Sequence, residues 1–137
     1  MVCTNKGDNN KMREIKFRAW DKIKKKMHHT YAMHNGKAFG SLLFRFKPNM
    51  YSDNFKLMQL TGLRDKDGKE IYEGDIVEYY HKYLGLPVTF GVVFFEGGFC
   101  QAKKDREPDV WYDWNTLKVI GNIHENPELL ANSNQYI

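Results

Sequence analysis

The sequence predicts a mainly β chain: a small barrel-like (SH3-like) C-terminal lobe, a smaller N-terminal β lobe and a short C-terminal helix. Three observations carry this. Runs of β-branched and aromatic residues are short, as in Ile76 to Tyr83 and Val88 to Glu96. Glycine turns bound them, above all Asp67-Gly68 and Gly97-Gly98, which supply the positive φ of tight hairpins. Only Asn126-Pro127-Glu128 carries helix-start chemistry, with an N-cap, a first-turn proline and an acidic residue.

Taken in order, Ile15, Phe17 and Ala19 alternate with Lys16, Arg18 and Trp20, the period-2 pattern of a half-buried first strand. Lys22 to Lys26 is a charged turn, and His28 to Met33 pairs back as a second strand. Asn35-Gly36 reads as a hairpin turn before Lys37 to Phe46, and Asn49 to Asn54 as a loop. Lys56 to Leu60 enters a strand–turn–strand ladder that ends at Val77, in which Asp65 can bond backbone amides ahead of it. Gly98 to Lys103 follows as a strand, Lys104 to Asp109 as a charged loop, and Val119-Ile120 closes the β part. The lobes are drawn at 12–55 and 56–130, with a disordered extension at 1–11 and a frayed tail at 131–137. Val119, Ile120, Ile123, Leu129 and Leu130 are expected to close the core.

Three segments carry a family resemblance. Met12-Arg13-Glu14-Ile15-Lys16-Phe17-Arg18-Ala19-Trp20-Asp21, the ladder from Thr61 to Val77, and the run from Val119 to Leu130 together resemble the YopX family of phage and prophage proteins. The resemblance spans most of the chain; roughly Lys22 to Asn54 matches no pattern. It implies a small β-rich, phage-derived protein of the bacterial cytoplasm, and it brings no catalytic residue with it.

Composition narrows the function classes. The 137 residues contain 15% aromatic and 28% charged side chains, as expected of a folded chain. Val92-Val93-Phe94-Phe95, among the longest apolar runs, is far below a membrane span. Met1 to Lys11 is polar and has no apolar signal core, so no membrane association and a cytoplasmic location are expected. Cys3 and Cys100 form neither a disulfide framework nor a Cys-x-x-Cys site. The net charge of +4 is uneven: residues 1–26 hold nine Lys/Arg against three Asp/Glu, or +6, and the remainder twelve against fourteen, or −2.

Each chemical constellation has a plainer structural reading. His28, His29 and His34 lack a third and fourth ligand, and Asp65 to Glu70 departs from a calcium loop, so neither metal nor cofactor is expected. Asp75, Glu78, Asp109 and Asp113 have no spacing that brings them together. Trp111-Tyr112-Asp113-Trp114 could stack bases, but small barrels need such rings for packing. Lys16, Arg18, Lys22, Lys24, Lys25 and Lys26 are the candidate nucleic-acid contacts. Trp20, Phe39, Phe44 and Trp114 are candidates for a subunit interface. No nucleophile–base pair stands out, so the expectation is a non-enzymatic module that self-associates as a homo-oligomer or binds a phage or host macromolecule. The alternative is a barrel that binds nucleic acid weakly through its basic N-terminal segment.

Overall fold

The computed structural model describes residues 14–34, 37–38, 55–103 and 106–131, with side chains of 30–34 and 37–38 left aside. The expected extension at 1–11, the Asn35-Gly36 turn, the strand beyond Ala38, Phe39, Phe44 and the Asn49 to Asn54 loop lie outside the described residues. So does the tail from 132 onward.

The fold is mainly β, as the residue pattern requires. Among the described residues ten strands run β1 Lys16–Asp21, β2 Lys26–His34, β3 Lys37–Ala38, β4 Phe55–Arg64, β5 Glu70–Tyr72, β6 Asp75–His81, β7 Leu86–Phe95, β8 Gly98–Lys103, β9 Arg106–Asp109 and β10 Lys118–Asn122. A 3-10 turn at Trp114–Thr116 precedes β10, and the short helix α1 spans Glu128–Ala131. The strands form two curled five-stranded sheets, ordered β3-β2-β1-β4-β5 and β10-β6-β7-β8-β9. Within the described residues the second sheet is an antiparallel meander whose last strand returns beside its first.

The sheets therefore divide between Tyr72 and Asp75, not at residue 56. Phe55 to Gln59 pairs with β1 along its whole length, so the first half of the ladder completes the N-terminal sheet. Gly68, at φ +81°, closes the β4–β5 hairpin as Asp67-Gly68 predicts. Arg106–Asp109 is a strand and not a loop; it pairs with β8 as the sheet's edge. Its Pro108 is the kind of residue that blunts an edge against further pairing.

The first strand departs most from expectation. Arg18, Ala19, Trp20 and Asp21 are all buried, whereas Ile15 is exposed. Alternation fails because β1 lies inside its sheet, flanked by β2 and β4, and both of its faces are covered. The core of the second sheet gathers Ile71, Val77, Val88, Phe90, Val92, Leu117 and Val119. Ile123, expected in the core, is 39% exposed.

Candidate functional site

The ladder builds the junction between the two sheets. Asp65 directly follows β4, and its Oδ1 accepts the amides of Asp67 and Lys69 at 2.9 Å, which shapes the turn. Its Oδ2 reaches across to accept the amide of Val119 in β10 at 3.0 Å. Burial alone would raise the Asp65 carboxyl; the Val119, Lys69 and Asp67 amides overcome it and hold the group below its ordinary range. Nearby, the Lys66 amide donates to the Leu117 carbonyl at 2.9 Å.

A buried ion pair makes the second tie. Arg18 of β1 donates from Nη2 to Asp75 Oδ1 of β6 at 2.7 Å and to the Glu73 carbonyl at 3.3 Å. Asp75 Oδ2 accepts the Tyr72 amide at 2.8 Å, and the Arg18 guanidinium lies 4.7 Å from the centre of the Tyr72 ring. Burial pushes the Asp75 carboxyl up, against the opposing pull of Arg18 and the Tyr72 amide. Taking two charges from water costs several kcal/mol, so such a pair fixes geometry more surely than it adds stability. A third tie is aromatic: the Trp20 ring stacks on His124 at 5.4 Å.

The Arg18–Asp75 pair lines a cleft of about 580 Å³ whose walls come from both sheets, including His29, Arg64, Tyr72 and Gly121. It is neither a lysine patch nor an apolar groove nor a nest of carboxylates. One donor in it is unused: Arg18 is 6% exposed, and its buried Nε has no acceptor among the described residues. Arg64 and Lys69 stand exposed at the rim. Among the described residues no three His, Cys, Asp or Glu side chains gather as metal ligands would.

The predicted site residues scatter accordingly. Arg18 is locked to Asp75 and offers no phosphate contact through its outer nitrogen. Lys16 is bound to Glu70 at 3.0 Å and Glu14 at 3.4 Å, and the Glu70 bond raises its ammonium above the ordinary value. Lys22, Lys24, Lys25 and Lys26 remain exposed on the turn, shaped by Asp21 Oδ1 accepting the Ile23 and Lys24 amides. Trp20 is 6% exposed, and Trp114 is partly buried against the second sheet's core. Sequence reasoning missed the Arg18–Asp75 pair, since nothing local signals a partner 57 positions away. Tyr83 is 97% exposed at the β6–β7 hairpin tip, and Tyr80 and Leu84 on either side are exposed too.

Two curled β sheets locked by buried charges define a compact class of β module, and the comparisons give its family. The family described as YopX protein matches residues 16–131, and the chain belongs to it. A solved structure of protein EF1440 from Enterococcus faecalis is similar at 31% identity and TM-score 0.57, covering 85% of this chain and 97% of that one. The structure of protein yopX from Bacillus subtilis is similar at 25% identity and TM-score 0.54, covering 84% of this chain and 95% of the other. Comparison with curated proteins finds no match. No helix among the described residues is long and apolar enough to cross a membrane.

Proposed function

We propose that this YopX-family chain is a non-enzymatic binding module whose partner enters the cleft between the two sheets. One observation carries the reading: Arg18 lines that cleft, and its buried Nε, a strong donor, has no acceptor among the described residues. A buried donor without a partner costs about 1–3 kcal/mol, which a ligand oxygen would recover. The other buried charges are spent on joining the sheets; of the exposed cations in the lining, Arg64 is held by Glu70 at 3.7 Å and the Gly68 carbonyl at 2.7 Å, and Lys69 suits an acidic or carbonyl-rich segment of a phage or host macromolecule.

Self-association is a second reading, favoured by exposed Tyr80, Tyr83 and Leu84 at the hairpin tip. It would bury that tip, not Trp20 or Trp114. Binding of nucleic acid through the N-terminal segment keeps four of its six cations, the lysines of the turn. A titration with short acidic and neutral peptides, followed through backbone amide chemical shifts, tests the proposal. Shifts gathered on Tyr72, Gly121 and Asn122 support the cleft; concentration-dependent shifts at Tyr83 would move the contact to the tip, and DNA-dependent shifts at Lys22 to Lys26 would move it to the turn.

A further inference from the structure

A second concavity lies at the β8–β9 end of the second sheet. It has a volume of about 210 Å³ and is lined by Phe90, Lys103, Arg106, Trp111 and Tyr112. Sites for drug-sized ligands run to roughly 300–1,000 Å³, so this one takes a single ring system with a small charged group. Its aromatic wall is set in advance. Gln101, fully buried, donates from Nε2 to the Tyr112 carbonyl at 2.6 Å, while its Oε1 accepts the Tyr112 and Trp111 amides at 3.1 and 3.3 Å. The rings of Trp111 and Tyr112 tilt against Phe90 at 5.1 and 5.6 Å, and Tyr79 stacks on Tyr112 at 4.1 Å.

The mouth is cationic, and in an unusual way. Lys103 and Arg106 are direct partners across the antiparallel β8–β9 pair, so their side chains share one face. Like charges placed there repel. Among the described residues neither forms an ion pair with a carboxylate. Burial, with Arg106 adding to it, lowers the Lys103 ammonium from its ordinary value, as befits a cation held without a counter-charge. Core packing explains Phe90 and Tyr112, and a cation–π contact sets Lys103 Nζ 5.9 Å from the centre of the Phe90 ring; neither gives a reason to place a second cation, Arg106, opposite it.

We propose that this pocket binds a nucleotide, with the base stacked against the Trp111–Tyr112 wall and the phosphate held between Lys103 and Arg106. Every base has a face that stacks on aromatic rings, so the contact is indifferent to sequence. The phosphate removes the repulsion between the two cations and releases counterions. The pocket holds one nucleotide unit, either free or within a single strand, and it is separate from both the inter-sheet cleft and the Lys22–Lys26 turn.

The experiment is a titration of the full chain's tryptophan fluorescence with adenosine monophosphate, adenosine, inorganic phosphate and a single-stranded thymidine oligonucleotide. Saturable quenching is expected with the monophosphate or the oligonucleotide, and binding of adenosine or phosphate alone should be weaker by about tenfold or more. Arg106→Gln changes an exposed side chain and leaves the fold intact; it should weaken binding by about tenfold and flatten the salt dependence. Trp111→Phe should remove the quenching signal, with binding then followed by calorimetry. Neutralising Lys22, Lys24, Lys25 and Lys26 should leave binding in place. Tighter binding of the oligonucleotide assigns a single strand, and tighter binding of the monophosphate assigns a free nucleotide. No saturable quenching by either, binding unchanged in Arg106→Gln, or equal binding of an acidic aromatic dipeptide would overturn the proposal.

Discussion

Replacing Gly74 with alanine should cost far more stability than the same change at Gly68, although both glycines hold nearly the same backbone angle. Their φ values are +84° and +81°. Forcing an L side chain into that region costs about 1–2 kcal/mol at either site. The surroundings then separate them. A Cβ at Gly68 meets nothing within 4 Å, whereas at Gly74 it would fall 2.8 Å from Met58 Sδ and 3.7 Å from Ile123 Cγ1. Met58 is among the most buried side chains, so its sulfur has little room to yield. Overpacking a filled core adds about 1–3 kcal/mol. Gly68→Ala is therefore expected at about 1–2 kcal/mol and Gly74→Ala at about 2–5 kcal/mol. Gly74 also bonds backbone of the second sheet on both sides, donating to the Val92 carbonyl in β7 and accepting from the Ile123 amide just after β10, so a shift there would be felt across that sheet. Urea unfolding with an unchanged slope gives the two values. Costs equal to within about half a kcal/mol would refute the packing argument at this turn.

Asp75→Asn leaves the Arg18 charge buried and unpaired, so it should destabilise by about 3–5 kcal/mol in denaturant unfolding, whereas an exposed-pair change such as Glu14→Gln should cost under about 1 kcal/mol. Stability should also fall on mild acidification. Burial, with Arg18, Lys56 and Lys22 nearby, lowers the His124 imidazole below 6.5 while Glu125 partly opposes them, so the folded state holds it neutral. Its contribution is complete above pH 6.5 and is lost as the pH drops through the lower folded value. His124→Gln should flatten the fall of melting temperature between neutral and mildly acidic pH. At the C-terminal end, Leu117 is fully buried and its carbonyl holds the Lys66 amide, so Leu117→Ala should cost about 2–5 kcal/mol. Truncation before Leu117 should abolish the cooperative melt altogether.

Much of this fold was legible in the residues because hairpin chemistry is local. Asp67-Gly68 needs only its own backbone angles, and the β6, β7 and β8 runs end at turns that their own sequence writes. The short helix after Asn126-Pro127 follows from the same kind of local signal. What escaped depends on distant partners. Arg-Glu-Pro-Asp has no apolar alternation, and only the neighbouring β8 makes it a strand. Arg18 and Trp20 read as outward-facing until Asp75 and His124, each from the far half of the chain, cover them. The candidate site was less legible for that reason. A basic cluster can be counted along a sequence, but whether a cation is free or already paired is decided across the sheets. Among the described residues Lys22, Lys24, Lys25 and Lys26 form no ion pair with a carboxylate, and their acidic neighbour Asp21 spends one carboxylate oxygen on the turn's own amides.

The central claim, that the inter-sheet cleft offers an unsatisfied donor to a partner, is tested most directly by the Arg18 side chain itself. A buried guanidinium exchanges its Nε proton slowly enough to be followed by nitrogen-edited NMR. Titration with acetate, phosphate and a short acidic peptide should move the Arg18 Nε–H resonance saturably, while the Asp75 ion pair and the melting curve stay intact. An Arg18 resonance that no acceptor shifts, in a chain whose amide signals respond elsewhere, would contradict the account and remove the cleft as the binding site.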